Sequence, residues 1–569
     1  MIILYFNFKQ IKKIFSPLKP KNILNKSPYF INHRLYSSFG DRTMCDFVSK
    51  TAGFFKVSKH KRLMLAVALS AIISVIFSYS LSIHIKFIIS AFFMLLLSHT
   101  SRLALWAMTI VFSLIALIFP VTLNFGIPSR AHLLNAAHTT FREAFEFVLM
   151  VLTVKSSIIL AVSLFLLALY LANGLKILQT KQEFLKKKYY KYISSSAMAL
   201  IIFLSYKCYP PKIFVDACKN FQWIKQENSS FENNLKNPTD IVITKNSKKF
   251  KNVAVIIGES LTSDYLQVMG YPHETTPKLN KMNGHFYKNF ISAAPYTNHS
   301  VYRTLNHCPD KQNYQMNNNL VSLANQAGFA TYFFAAEPGD DINMSYSALS
   351  KYHAGNLPKS FEPAKISLTN PYRDDMPLLN YVRLSLSDNE ESRMIFLHMM
   401  GHHPRVCKRL RGYPNYFKNL KHENMEGGQE LNCYLSVTKK LDDFIADIDS
   451  QLKELNEPYA IFYFSDHGVV FDMDSKGGAF IHHGADYKSN YRVPYMVISS
   501  DIKEHKVFEG YASGYDMLPN ILYYLGIDTN IIRAKSFPEI SAGNPNAIVV
   551  FDGDKLLPYM SLKDSKVYY

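Results

Sequence analysis

Carboxylate and imidazole side chains follow three short apolar runs, each at the point where the run ends. They are Glu259 after the first run, His402 and His403 after the second, and Asp466 and His467 after the third. A further pair, His482 and His483, lies in a loop shortly downstream. Carboxylate oxygens and imidazole nitrogens bind zinc and similar divalent cations. Any one of these residues alone would more often be a helix cap or a structural histidine, but their joint placement favours one metal site.

The elements that would position these side chains are buried strands that alternate with helices. The runs that we interpret as strands are 252–257, 328–335, 394–398, 459–464 and 493–499. The clearest helical stripe between them consists of Val437, Leu441, Phe444, Ile445, Ile448 and Leu452. This alternation predicts an α/β domain with a largely parallel sheet and helices on both faces. Because sites in such sheets form beyond the carboxyl ends of the strands, the polar side chains should meet there.

Five apolar stretches precede residue 207 and predict a transmembrane domain of five helices. They are 63–77, 83–97, 103–125, 157–174 and 192–206. The third and fourth approach the ~20 residues that a helix needs to cross a bilayer, whereas the others need flanking residues to complete the span. A single stretch could be a buried core helix, but five in succession favour membrane helices.

The formal net charge of +19 is concentrated in two segments that flank these stretches. Residues 1–62 contain 13 Lys or Arg and 2 Asp, and residues 176–191 contain 6 Lys and 1 Glu. A nucleic-acid-binding protein would spread its basic residues over a folded surface, so we expect no nucleic-acid partner. Basic segments instead mark the cytoplasmic ends of membrane helices. This places both segments inside, and it places the loop 126–156 and everything after 207 outside.

These patterns divide the chain into four parts. We predict a basic cytoplasmic segment at 1–62, a transmembrane domain at 63–206, a polar linker at 207–250 and a soluble α/β domain at 251–569. In the outer loop 126–156, the side chains Asn135, Thr139 and Glu143 would share one face of a helix. Such a helix could lie at the membrane surface with this polar stripe toward a lipid headgroup, or the stripe could be an ordinary solvated face.

The six cysteines form no CxxC pair of the kind that binds zinc. Their spacing would allow disulfides between Cys208 and Cys218 and between Cys407 and Cys433, provided that the domain lies outside the cytoplasm. Buried free thiols fit the same spacing equally well.

Several short motifs follow one another in the second half of the chain. In order they are Gly258-Glu259-Ser260, Gly270-Tyr271 with Thr276-Pro277, Thr297-Asn298-His299-Ser300-Val301, Gly401-His402-His403-Pro404, and Ser465-Asp466-His467-Gly468 followed by His483-Gly484. This ordered set resembles the phosphoethanolamine transferases of the alkaline phosphatase/sulfatase superfamily. The resemblance covers about 250 to 530, and the membrane half extends it across most of the chain. The Asp-His-Gly element alone is common to the superfamily, whereas the ordered set is specific.

The resemblance implies roles for individual side chains. Glu259, Asp466 and His467 would bind one tightly held zinc ion, and Thr297 would be the zinc-bound nucleophile. His403 and His483 would contact the phosphoryl group, bind a second zinc ion or protonate a leaving oxygen. The trio Asn135, Thr139 and Glu143 sits like the family's lipid-headgroup motif.

The sequence departs from the lipid A members of the family at two places. Ala293 and Arg303 stand where those members have cysteines flanking the nucleophile, and Pro404-Arg405 replaces the usual Gly-Pro. These departures bear on which acceptor is used more than on the chemistry of the transfer.

The activity that the resemblance implies is transfer of phosphoethanolamine from phosphatidylethanolamine, through a phospho-threonine intermediate. The acceptor would be lipid A, core oligosaccharide or periplasmic glucan. The enzyme would be a monomeric multi-pass protein of the inner membrane with a periplasmic catalytic domain.

Three other functions share features with this sequence. A sulfatase would need a Cys-x-Pro-x-Arg motif, and the sequence that follows Cys308 does not match it. A glycerol phosphate transferase of the lipoteichoic acid type would share the membrane half and the threonine nucleophile. It would differ from a phosphoethanolamine transferase in its donor lipid, phosphatidylglycerol. A non-catalytic assembly factor would have lost a ligand or the nucleophile, and all are present here.

The charge pattern makes a testable prediction about topology. After Lys188, the cytoplasmic reporter β-galactosidase should be active and the phosphatase inactive, because the basic loop is retained inside. After Asn246, the phosphatase should be active and β-galactosidase inactive. Paired phosphatase and β-galactosidase fusions in intact cells measure both. A cytoplasmic signal from the second fusion would contradict the five-span topology.

Overall fold

The computed structural model describes residues 59–125, 148, 151–180, 219, 222, 239–336, 374–387, 389–422, 428–473, 479–482, 484–541 and 544–569. The chain divides into two compact units, Met1–Trp223 and Ile224–Tyr569.

The first unit is helical. Its helices are α1 Lys59–Ser80, α2 Ile85–Ser98, α3 Arg102–Ala116, α4 Phe119–Phe125 and α5 Val154–Thr180. Two segments, His60–Ser80 and Val154–Gln179, are long and apolar enough to cross a membrane, whereas α2 and α3 are shorter apolar helices. The fifth predicted stretch, 192–206, lies outside the described residues. A count of five membrane helices therefore stays a prediction.

The apolar stretch 103–125 does not form the single helix that we expected. It is split into α3 and α4, with a turn at 117–118. Pro120 lies in the first turn of α4, where its missing N–H costs nothing, whereas inside a continuous helix it would remove a hydrogen bond and clash with the preceding turn. The ring of Phe77 packs edge to face on Phe112 and Phe119, with centroids 4.9 and 4.7 Å away, and so joins α1 to both pieces.

The second unit is built on a seven-stranded sheet. The strands of this unit are β1 Ile243–Asn246, β2 Asn252–Gly258, β3 Gly284–Ile291, β4 Asn306–His307, β5 Gln315–Asn319, β6 Ala330–Ala335, β7 Arg393–His398, β8 Tyr459–Ser465, β9 Val470–Met473, β10 Ala479–His482, β11 Arg492–Ser499, β12 His505–Ser513, β13 Ile527–Thr529, β14 Val549–Phe551 and β15 Leu556–Pro558. The order in the main sheet is β12-β3-β11-β8-β2-β7-β6. Strands β6, β7, β2 and β8 are mutually parallel, β11 is antiparallel to both neighbours, and β12 is parallel to β3.

The prediction of a mostly parallel sheet is confirmed, and all five predicted strands belong to it. The sequence did not reveal β3 and β12, which extend the sheet on one side. Strand β12 is a half-exposed edge strand, and β3 mixes buried and partly exposed residues, so neither forms an unbroken apolar run.

Helices cover both faces of this sheet. They are α6 Thr297–Leu305, α7 Leu320–Gln326, α8 Leu378–Leu386, α9 Gln429–Glu454, α10 Met517–Leu525 and α11 Phe537–Ser541. Side chains of β2 alternate between two cores: Val253, Val255 and Ile257 pack with α6, α7 and α10, whereas Ala254 and Ile256 pack with α8 and α9. The predicted stripe on α9 is confirmed, since every member from Val437 to Leu452 is buried in the second core.

One of the two cysteine pairs forms a disulfide. Cys407 and Cys433 are bonded, with 4.9 Å between their Cα atoms, and they join a 3-10 turn, Val406–Arg409, to α9. Cys208 and Cys218 lie outside the described residues. Cys308 is a free cysteine in the part of the chain that the structure describes.

Removal of this disulfide should destabilise the second unit. The bond closes a loop of 26 residues, and the loss of that constraint on the unfolded chain is worth about 3 kcal/mol. The double substitution of Cys407 and Cys433 by serine should therefore lower the melting temperature of the purified protein, measured by scanning fluorimetry. Cys308→Ser is the matched control and should leave it unchanged. Equal melting temperatures for all three proteins would contradict a stabilising role.

Candidate metal centre

The central strands bring two distant carboxylates together. In the parallel pair β2 and β8, Gly258 lies opposite Ser465, so Glu259 and Asp466 leave the sheet side by side. His467 follows directly. One ligand atom from each of the three residues can be chosen so that all lie within 4.8 Å of one another, and all three side chains are buried. The structure thus places these predicted ligands in one cluster at the carboxyl edge of the sheet.

The orientation of His467 suits metal binding. Its Nδ1 lies 3.0 Å from the carbonyl oxygen of Gly468, and because a carbonyl only accepts, Nδ1 carries the proton. The lone pair of the neutral ring is then on Nε2, which lies 3.6 Å from Oε1 of Glu259 and 3.5 Å from Oδ2 of Asp466. Metal-binding histidines typically donate a hydrogen bond from the ring nitrogen that does not bind the metal, and this bond fixes the tautomer.

The carboxylate of Asp466 is satisfied on one side only. Its Oδ1 accepts hydrogen bonds from the amides of Ser260, at 3.1 Å, and His467, at 2.6 Å. Its Oδ2 is buried and has no hydrogen-bond partner among the residues that the structure describes. A buried carboxylate oxygen without a partner is costly, and a cation among the three side chains would satisfy it.

Burial makes the two carboxylates hold protons more tightly than usual. Burial raises the pKa of Glu259, and the nearby Asp466 raises it further. Burial also raises the pKa of Asp466. In a dry site the two groups cannot both be charged at low cost without a positive partner, which is what a divalent cation supplies.

Thr297 is the first residue of α6, and its hydroxyl points at this cluster. Its Oγ1 donates a hydrogen bond to Oε2 of Glu259 at 3.1 Å. The amides at the start of α6 also favour negative charge there. Two other hydroxyls near the cluster donate to main-chain carbonyl oxygens. Ser300 donates to the carbonyl oxygen of Asp466, and Thr262 donates to the carbonyl oxygen of Arg492 at 3.0 Å.

The loop after β7 packs against the main chain of Glu259. The amide of His402 donates to the carbonyl oxygen of Glu259 at 2.9 Å. Gly401 has φ +44°, and a Cβ at this position would lie 2.8 Å from that same oxygen, so only glycine fits. The carboxylate of Asp375 accepts the amides of Met400 and Gly401 at 2.7 and 3.0 Å. Asp375 therefore fixes the main chain of this loop next to Glu259.

A second support comes from α9. The hydroxyl of Tyr434 donates to the carbonyl oxygen of Ser260 and accepts the amide of Thr262, both at 2.9 Å. Ser260 has φ +60°, an unfavourable value for a residue other than glycine. Tyr434 holds this strained turn in place next to Glu259. No sequence pattern indicates Asp375 or Tyr434, because both act on main-chain groups of distant segments.

The predicted histidines differ in their placement. His402 is buried, lies 3.0 Å from the Thr438 hydroxyl through Nε2, and has its pKa lowered by burial to about 3, so it is a neutral structural residue. His403 is partly buried in the same loop and contacts Arg409. His483 lies outside the described residues, as do Asn135, Thr139 and Glu143, so their roles stay predictions.

Comparisons with known proteins agree with this geometry. Residues 251–527 match the sulfatase family. Phosphoethanolamine transferase OpgE of Escherichia coli K12 is 29% identical over 309 residues, which are 54% of this chain and 56% of that protein. A putative phosphoethanolamine transferase of Haemophilus influenzae is 27% identical over 373 residues, 63% and 72% of the two chains. The match thus spans little more than half the length of the first relative.

Among solved structures, the integral membrane protein lipooligosaccharide phosphoethanolamine transferase A of Neisseria meningitidis has a similar fold. The TM-score is 0.51 at 14% identity, and the match covers 84% of this chain and 97% of that one. This share exceeds the second unit alone, so the similarity includes part of the helical unit.

The cluster makes a testable prediction about metal binding. Asp466→Ala should lower the affinity for a divalent metal by more than about 100-fold, because it removes a ligand and leaves Glu259 without its neighbour. Metal content of the purified full chain, measured by mass spectrometry, checks this. Asp442→Asn is the matched control, since Asp442 is also buried but accepts the amides of Lys278 and Leu279 instead.

The same site predicts the direction of the pH dependence. Because the pKa values of Glu259 and Asp466 are raised, these groups keep protons at a higher pH than ordinary carboxyls, whose pKa is about 4. The metal must displace those protons, so its affinity should fall as the pH drops through this raised range.

Unchanged metal content in Asp466→Ala would exclude the cluster as the metal site.

Proposed function

We infer that the chain, which carries a sulfatase-family domain over residues 251–527, is a phosphoethanolamine transferase of the inner membrane. The observation that carries this proposal is the hydroxyl of Thr297, which donates to Glu259 within the buried cluster of Glu259, Asp466 and His467. The sulfatases themselves use a modified cysteine, and the nucleophile position here is a threonine. The names of the E. coli and H. influenzae relatives point to the same transferred group.

Thr297 is the proposed nucleophile. A zinc ion held by Glu259, Asp466 and His467 would lower the pKa of the hydroxyl and offset negative charge on the phosphoryl oxygens. Oγ1 of Thr297 loses its proton and forms a bond to the phosphorus of phosphatidylethanolamine. The bond from phosphorus to the glycerol oxygen breaks, and diacylglycerol leaves after that oxygen has taken up a proton.

The second half of the reaction regenerates the enzyme. A hydroxyl or phosphate oxygen of the acceptor attacks the phosphorus of the phosphoethanolamine–threonine diester, and Thr297 leaves with a proton. We propose that His403 and His483 contact the phosphoryl group or serve these proton movements. The N-terminal end of α6 contributes amides that favour the negative phosphoryl oxygens.

We propose that the helical unit presents the donor lipid. The apolar helices α1 and α5 would hold the chain in the bilayer, and Asn135, Thr139 and Glu143 would bind the headgroup. The catalytic unit then lies in the periplasm, where the Cys407–Cys433 disulfide can form. The proposed acceptor is an envelope glycolipid or glycan: lipid A, core oligosaccharide or periplasmic glucan. The enzyme would act as a monomer.

The first half of the reaction can be measured on the purified full chain with fluorescent phosphatidylethanolamine. Wild-type protein should release labelled diacylglycerol, whereas Thr297→Ala should lose at least about 1,000-fold in rate and keep its metal. Thr297→Ser is the matched control, because it keeps a hydroxyl at the same position and should retain measurable activity. Intact-protein mass spectrometry should find the phosphoethanolamine adduct in wild type and not in Thr297→Ala.

The same assay with phosphatidylglycerol separates the rival function. Diacylglycerol release from phosphatidylglycerol and none from phosphatidylethanolamine would identify a glycerol phosphate transferase. Near-wild-type activity in Thr297→Ala would move the nucleophile elsewhere, with Thr262 and Ser300 next to be tested.

A further inference from the structure

His403 and Arg409 form a contact that bears on the chemistry of the imidazole. Nη2 of Arg409 lies 3.3 Å from Nδ1 of His403. The same guanidinium donates to the carbonyl oxygens of His403, from Nε at 3.4 Å, and of Pro404, from Nη2 at 3.3 Å. Arg409 is 6% exposed, so this contact is largely shielded from water.

The direction of this hydrogen bond follows from the donor chemistry. A guanidinium carries only N–H groups and keeps its charge at every relevant pH, so Nη2 can only donate. Nδ1 of His403 must therefore accept, and the proton of the neutral ring is on Nε2. A doubly protonated ring would set an N–H group and a positive charge directly against the guanidinium.

The position of Arg409 is itself fixed by buried groups of α9. Lys440 on α9 donates through Nζ to the carbonyl oxygen of Arg409 at 2.8 Å and to Oδ1 of Asp374 at 2.7 Å. The disulfide between Cys407 and Cys433 joins the turn that carries Arg409 to the same helix. The guanidinium is thus held in place before any substrate binds.

We propose that Arg409 is a positioning residue that fixes the ring of His403 with a proton on Nε2, so that His403 donates a hydrogen bond to a phosphoryl oxygen of the substrate. This inference rests on the proposed function, and it selects one of the three roles that the resemblance left open for His403. A second metal ion would find Nδ1 occupied by Arg409 and Nε2 protonated. Net proton transfer to the leaving oxygen then falls to another group.

Substitutions of His403 can separate a hydrogen-bond donor from a metal ligand or a proton source. A glutamine amide nitrogen can reach the position of Nε2 and donate, whereas an asparagine amide nitrogen reaches only the position of Nδ1. His403→Gln should therefore keep kcat within about tenfold of wild type, and His403→Asn and His403→Ala should lose about 100- to 1,000-fold, the usual cost of removing one donor to a developing oxyanion. All three variants should keep the metal content of wild type.

A double-mutant cycle tests Arg409. Arg409→Met should lower kcat about tenfold with little change in KM, because the ring of His403 can then rotate away from the orientation in which Nε2 donates. In the His403→Gln background, where there is no ring to orient, the same substitution should cost less than about twofold. A purely structural role of Arg409 predicts the same loss in both backgrounds.

The outcomes distinguish a failure of the donor role of His403 from a failure of the proposed function. If wild type transfers phosphoethanolamine but His403→Gln is as inactive as His403→Ala, the donor role is wrong. Loss of one metal equivalent in His403→Ala, or equal costs of Arg409→Met in both backgrounds, would also overturn it. Absence of phosphoethanolamine transfer by wild type would instead contradict the proposed function.

Discussion

Two carboxylates that are buried beside each other and beside His467 are the constraint on which the rest of the catalytic unit depends. Burial and the nearby Asp466 raise the pKa of Glu259, and Oδ2 of Asp466 has no hydrogen-bond partner among the described residues. Main-chain amides keep the pair in place by bonding the other oxygen of Asp466. The fold thus maintains a charge arrangement that becomes favourable once a cation lies between the three side chains.

The surrounding structure serves to prevent this arrangement from relaxing. Asp375 holds the loop that packs on the main chain of Glu259, and Tyr434 holds the left-handed turn at Ser260. Gly401 allows the loop to approach within contact of Glu259. Because each of these groups bonds to the backbone, they set the direction in which the carboxylate points without touching the reacting atoms.

The sequence predicted the parts of this structure that have a periodic or ordered signal. Glu259 and Asp466 could be placed at one edge because unbroken apolar runs precede both, and parallel strands end at the same edge. Thr297 was identified only through motif resemblance, since a single hydroxyl has no pattern. Tyr434 acts on Ser260 across 174 residues of sequence, and no spacing rule reports such a contact.

Two expectations about elements failed for physical reasons. The break between α3 and α4 was missed because composition alone cannot show that Pro120 starts a new helix instead of lying within one. Strands β3 and β12 were missed because both contain partly exposed residues, and unbroken hydrophobic runs mark only fully buried strands.

The sheet order also has a consequence for how the domain is made. The central strand β2 is the first strand of the main sheet to be synthesised, and its neighbours β7 and β8 follow much later. Arg393 of β7 donates a hydrogen bond to Asn252 across 141 residues of sequence, and the amide of Ser260 donates to Asp466 across 206. Strand β2 therefore stays unpaired on both edges until those later segments have been made. Contacts of such high sequence separation slow folding and leave an aggregation-prone strand exposed. The protein should therefore depend most on chaperones in the interval between synthesis of β2 and synthesis of β8.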